Sequence, residues 1–77
     1  MQNKEKIRGF LTNFITNYDL ADDENIFEKG LVSSLFAMQL VMFLEKEFSI
    51  SISNEELDID NFKDVNSIVN LVDSKQS

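Results

Sequence analysis

The sequence predicts an all-α fold: a small four-helix bundle of three main helices and one short one, with a long first loop. Three observations lead there. Apolar residues recur at three- and four-residue spacings in three separate stretches. The one stretch that alternates with a period of two, Ser49-Ile50-Ser51-Ile52, has no second strand to pair with. No proline interrupts any segment.

The first helix spans about residues 3–18, where Ile7, Phe10, Leu11, Phe14, Ile15 and Tyr18 share a face. The pattern breaks at Asp19-Leu20-Ala21-Asp22-Asp23-Glu24-Asn25. Residues 19–32 therefore read as one long ordered loop, with Ile26 and Phe27 as anchors against the core and Gly30 at a tight turn. A second helix starts at Ser33 or Ser34 and runs to about Phe48. Val41, Leu44 and Phe48 form its inward face, and Leu35, Met38 and Met42 form a second stripe rotated away from it. Two readings of that stripe stand: the methionines pack beneath the long loop, or they form an exposed, adaptable docking surface.

Residues 49–52 follow as an extended connector with both isoleucines inward. Ser53-Asn54-Glu55-Glu56 fits the capping-box pattern and predicts a short helix ending at Leu57 or Asp58. Phe62 anchors the next turn. The last helix runs from Asp64 or Val65 to Val72, with Val65, Ile68, Val69 and Val72 on one face and Asp64 as N-cap. The polar tail from Asp73 to Ser77 is expected to fray.

Seventy-seven residues suit one small domain, and such a chain buries only about 60% of the surface its unfolded form exposes. A deep catalytic cleft has little room. The absence of His, Cys and Trp removes the commonest general base, the thiolate nucleophile, any disulfide and the usual zinc ligands. No apolar run approaches the length of a membrane span, and no targeting segment opens the chain, so a soluble, cytoplasmic, discrete and monomeric protein is expected. The net charge of −7 is unevenly placed: Lys4, Lys6 and Arg8 face only Glu5 in residues 1–18, and four lysines face thirteen carboxylates beyond. That sign repels nucleic acid and anionic lipid and attracts basic protein surfaces.

The acidic stretches do not make a calcium loop. Counting from Asp19, the third position is Ala21 and the sixth Glu24; counting from Asp58, the fifth is Phe62 and the sixth Lys63. Two glycines, Gly9 and Gly30, make no phosphate-cradling loop. A nucleophilic serine lacks a base, since Lys29 is the nearest candidate and its acidic neighbourhood keeps it protonated. The domain is thus read as a non-catalytic protein that other enzymes act on. Ser33 and Ser34 are the residues in question: either they close off the helix start, or one hydroxyl is a handle for modification.

The segment from Ile26 to Phe48 resembles the acyl carrier protein family, in which the second helix begins at a serine bearing 4'-phosphopantetheine. The family's Asp-Ser-Leu signature corresponds here to Ser33-Ser34-Leu35. The likeness continues through Leu40-Val41-Met42, Leu44-Glu45, Glu47-Phe48, the Ile50 and Ile52 connector, and the Val65, Ile68, Val69 helix. It implies that Ser34 is the attachment residue and that Ser33 replaces the usual acid as helix cap. An anion on Ser34 would gain about 0.3–1 kcal/mol from the helix N-terminus. The resemblance also implies partner recognition through Leu35, Met38, Gln39, Met42 and Glu45, with Phe36 and Gln39 departing from common fatty-acid carriers. Implied partners are a phosphopantetheinyl transferase drawing on coenzyme A, and acyl-loading and acyl-modifying enzymes such as a polyketide synthase acyltransferase. The string Ser-Leu-Phe-Ala-Met-Gln-Leu-Val is most similar to stand-alone polyketide and hybrid peptide carriers, which implies a functionalised malonyl cargo of hydroxy-, methoxy- or aminomalonyl type. Fatty acyl, aminoacyl or D-alanyl cargo, or an unmodified helical interaction module, are the alternatives.

Overall fold

These periodicities become helices in the computed structural model, which describes residues 2–15 and 19–76. The order is α1 (Gln2–Phe14), α2 (Ser34–Phe48), a 3-10 turn (Asn54–Glu56), the single-turn α3 (Ile59–Phe62) and α4 (Val65–Gln76). No strand occurs among the described residues, as the four-helix expectation requires.

α4 packs against α1, α2 and α3. Ile7, Leu11 and Ile15 from the α1 side, Leu40 and Leu44 from α2, and Val65, Ile68 and Val72 from α4 meet in the core, nearly all without solvent contact. α1 ends earlier than its apolar repeat suggested, although Ile15 still donates to the Leu11 carbonyl at 2.8 Å. Tyr18, expected on the same face, lies outside the described residues. The seam between α1 and α2 is filled by rings: Phe10 stacks on Phe43 with centroids 4.2 Å apart, and Phe14 meets Phe36 edge-on at 4.9 Å. Such pairs contribute about 0.5–1.5 kcal/mol each beyond their buried area.

The long loop is tied at both ends of its span. Arg8 and Lys4 of α1 pair with Asp22, and Arg8 also donates to the Leu20 carbonyl. The Asp22 carbonyl accepts from Asn66 N–H at 3.0 Å, and Ile26 N–H donates to the Lys63 carbonyl at 2.8 Å. The hydrogen bond from Lys4 is the main reason the Asp22 carboxyl is held below the usual carboxylate range. Ile26 is fully buried and Phe27 half-buried, the two anchors the sequence indicated. Leu20, embedded in polar residues, is buried as well. Asn25 Oδ1 accepts from Phe27 and Glu28 N–H, an Asx turn. Leu31 N–H then reaches back to the Ile26 carbonyl across Gly30, whose φ of +70° suits glycine.

The chain beyond α2 departs most from expectation. The Ser53 box forms, with Ser53 N–H donating to Glu56 Oε1 at 2.9 Å, but it closes only a 3-10 turn. A second start follows at once: Asp58 Oδ1 accepts from Asp60 N–H and caps α3. Asp64 caps α4 as expected, accepting from Ser67 N–H at 2.7 Å. α4 does not stop at Val72. Its end is held by Asn3, whose side-chain amide donates to Asp73 and Gln76 at 2.8 Å each, and by the Lys75 to Glu56 ion pair. Frayed ends therefore do not describe residues 73–76, and Ser77 lies outside the described residues.

Candidate functional site

α2 begins at Ser34, and Ser33 holds the extended conformation of an N-cap, with φ −101° and ψ 171°. Its carbonyl accepts from Phe36 N–H at 3.0 Å. The Ser33 hydroxyl, however, makes no capping hydrogen bond to the first turn. The sequence expectation that Ser33 replaces the usual acid as a cap is thus met in backbone position and not in side-chain chemistry. No acidic residue lies in the first turn of α2. An anion placed on this end of the helix meets the helix dipole without a first-turn carboxylate opposing it.

The serine pair is followed by an exposed apolar stripe. Leu35, Met38 and Met42 are 68%, 67% and 64% exposed, on one side of α2. This decides between the two readings of the methionines: they do not pack beneath the loop. Gln39 is exposed beside them. The inward face of α2 is Phe36, Leu40, Leu44 and Phe48, and Val41 is only half-buried. Phe36, which the resemblance set apart, faces the core: its ring is buried against Phe10 and Phe14 in the seam between α1 and α2.

Glu45, expected among the partner-facing residues, also has a role within the fold: its Oε2 accepts from Ile52 N–H at 2.9 Å and the residue is partly buried. Its carbonyl takes the N–H groups of Ser49 and Ile50. Ser49 supplies the left-handed turn this needs, with φ 54°. Reversing the charge at Glu45 would release the connector, so the change would not leave the fold untouched.

Two surface hollows flank α2. One, about 160 Å³, lies between α2 and α3 and is bounded by Phe27, Met38, Val41, Leu57, Ile59 and Phe62, with Asp58 at its edge. The other, about 230 Å³, lies beside the helix start among Phe14, Leu31, Val32, Ser33, Leu35 and Gln39. Sequence reasoning missed Leu57 and Ile59, which stand 49% and 57% exposed and extend the apolar surface onto α3. Their signal was available: two large apolar residues flank Asp58 with no place in any helical repeat.

Among the described residues no group of three or more carboxylates is placed to hold a metal ion, and no helix is long and apolar enough to cross a membrane.

Residues 15–72 match the family model described as the phosphopantetheine attachment site. Over 79 aligned positions, covering 100% of this chain and 99% of the relative, the sequence is 33% identical to the D-alanyl carrier protein of Lactobacillus acidophilus. The protein of the same name from Lactobacillus helveticus is also 33% identical with the same coverage. That of Leuconostoc mesenteroides subsp. mesenteroides is 34% identical over 76 positions, covering 96% of each chain.

Proposed function

This chain belongs to the phosphopantetheine-attachment family of acyl carrier proteins, and on that premise we propose that Ser34 bears the prosthetic group and that the cargo is a D-alanyl unit. Members hold 4'-phosphopantetheine covalently, and its terminal thiol supplies the thioester chemistry that a chain without cysteine lacks. Residues 1–77 act as one carrier domain that catalyses nothing itself.

Attachment is a group transfer in which the Ser34 hydroxyl oxygen attacks the phosphorus of coenzyme A that carries pantetheine. A phosphodiester forms at Ser34, the pyrophosphate bond breaks, adenosine 3',5'-bisphosphate leaves, and the serine proton passes to a base on the transferase. The fit rests on Ser34 being the first residue of α2, between exposed Ser33 and exposed Leu35, at a helix end without first-turn acids. Enzymes dock on Leu35, Met38 and Met42, with Gln39 at the edge. The apolar stripe holds the complex, and the negative surface steers basic partners toward it.

The observation that carries the D-alanyl reading is that three relatives bear that name and match over nearly the whole of both chains. The functionalised malonyl cargo implied by the Ser-Leu-Phe-Ala-Met-Gln-Leu-Val string has no such support. Intact-protein mass tests the first half of the proposal: coenzyme A and a broad-specificity phosphopantetheinyl transferase should add one phosphopantetheinyl group. The second half is tested by offering the loaded protein to the enzyme that charges the Lactobacillus acidophilus carrier, with D-alanine, and separately to a malonyl acyltransferase with malonyl-coenzyme A. A hydroxylamine-labile D-alanyl adduct in the first reaction is expected. Loading in the second alone would return the cargo to the malonyl class.

A further inference from the structure

The carboxylate of Glu45 is spent on a backbone N–H seven residues further along the chain, and the consequence of that bond lies at the α2 to α3 cleft. We infer that Glu45 is a positioning residue: by holding Ile52 it fixes the far wall of this cleft, which receives one apolar side chain from a basic partner enzyme. The inference rests on the docking role given to α2 above.

The geometry runs in one direction along the chain. α2 ends in a left-handed Ser49, and the Glu45 carbonyl closes that turn by accepting from Ser49 and Ile50. The Glu45 side chain then takes Ile52 N–H, so one residue grips the connector twice. Immediately beyond, Glu56 is fastened by Ser53 and by Lys75 of α4, and its carbonyl accepts from the Asn61 side chain. Between these fastenings and Phe62 stand Leu57 and Ile59, both large, apolar and half or more exposed, facing Met38 and Val41 across about 160 Å³. An isolated 3-10 turn and a four-residue helix have little rigidity of their own. Their position against α2 comes from the ties at each end.

The size and the charge of the cleft define the occupant. It holds a single side chain rather than a helix, and its lining is apolar apart from Asp58, with no cation contributing. On a protein of net charge −7, an apolar residue flanked by Lys or Arg is the complementary group. The cleft is continuous with the exposed stripe through Met38, which belongs to both.

Glu45→Gln keeps an acceptor oxygen for Ile52 N–H and removes the charge; Glu45→Ala removes both. With a broad-specificity phosphopantetheinyl transferase and coenzyme A, Glu45→Ala should raise KM for the carrier about three- to tenfold with kcat unchanged. Glu45→Gln should stay within about twofold of the wild type. Amide exchange provides a readout independent of any partner: Ile52 N–H should be protected in the wild type and in Glu45→Gln and unprotected in Glu45→Ala. Methyl shifts of Leu57 and Ile59 should change in Glu45→Ala while those of Leu11 and Ile68 stay put. If Glu45→Ala does not fold, a KM for Glu45→Gln raised as far as that for Ile59→Ser overturns the proposal, because charge and not position would then be recognised. An unchanged KM in folded Glu45→Ala overturns it as well. So do Leu57 and Ile59 shifts that move on prosthetic-group attachment while KM ignores Glu45→Ala, since the cleft would then serve the pantetheine arm. Absence of mass addition to the wild type would instead defeat the attachment reading and leave the exchange result to stand alone.

Discussion

The helix start at Ser33 offers a perturbation whose sign follows from one hydroxyl. Ser33 already has the φ of −101° and ψ of 171° that a cap requires, so substitution there asks for no backbone change. A serine cap that makes its hydrogen bond loses about 0.5–2 kcal/mol on replacement by alanine. Here the bond is not made, so Ser33→Ala should cost no more than about 0.5 kcal/mol, the range of an ordinary surface change. Ser33→Asp should do the opposite. A carboxylate at this position can accept a first-turn N–H and lies at the positive end of α2, worth about 1 kcal/mol together. For a domain of this size that is about 4–8 °C in Tm. Urea unfolding followed by circular dichroism measures both, with an unchanged m-value as the check that only the native state was altered. The aspartate gain should shrink in 1 M salt, where the Debye length is about 3 Å. A loss above about 1 kcal/mol in Ser33→Ala, or no gain in Ser33→Asp, would refute the reasoning.

Four other outcomes are expected. Ser34→Ala should abolish phosphopantetheine addition in intact-mass measurements with the helical signal retained, and addition should survive in Ser33→Ala; modification of the Ser34 variant would transfer the site. Asp22 and Glu56 have folded-state values below the ordinary carboxylate range, held down chiefly by hydrogen bonds from Lys4 and Lys75 respectively. Their contribution to stability is therefore complete above the unfolded carboxyl's range and is lost as pH falls through the folded value. Unfolding free energies between about pH 5 and pH 2 should accordingly fall less steeply in Asp22→Asn than in the wild type, and parallel curves would count against the ion pairs. Ser49→Gly should stabilise by about 0.5–1 kcal/mol, because the left-handed φ of 54° strains a residue with a side chain; a lower denaturation midpoint would contradict that. Met38→Ser with Met42→Ser should change stability by less than about 0.5 kcal/mol at each exposed site and slow enzymatic loading, which unaltered rates would disprove.

How far the sequence was legible depended on the range of the forces involved. α1, α2 and α4 were visible because a helical period summed over three or four turns needs no knowledge of the partner. The start of α2 was visible because Gly30 and the serines are local signals. Leu20 was not, since a single apolar residue among Asp19, Ala21 and Asp22 has no period, and its burial comes from packing into the core, where Arg8 also holds its carbonyl. α3 escaped notice because one turn cannot show periodicity and the Ser53 box, five residues before the Asp58 cap, absorbed the start signal. The length of α4 was set by Asn3, seventy residues before Asp73. The stripe of Leu35, Met38 and Met42 was legible as a second helical face, and its exposure came only with the fold. The burial of Phe36 and the bond from Ile52 to Glu45 were not legible, because they depend on a facing helix and on a left-handed turn, and neither can be read from residue type.

The same contacts change what the charge means. Read linearly, the first helix is a positive segment on an acidic protein. In the fold Lys4 and Arg8 are taken up by Asp22, Lys6 pairs with Glu47, Lys29 with Glu24 and Lys75 with Glu56. Most of the positive charge thus closes the bundle, and the excess that remains to face outward is negative. A carrier needs this separation of tasks. Long-range attraction to a basic enzyme raises the encounter rate without adding to the lifetime of the complex. On the proposed docking role, the lifetime would rest on a short apolar stripe and one small cleft, a contact too limited to hold a partner after the cargo has moved. Pairing leaves the net charge that steers such an encounter unchanged, and with their cations 24–55% exposed these ion pairs serve chiefly to tie the loop and the 3-10 turn to the helices.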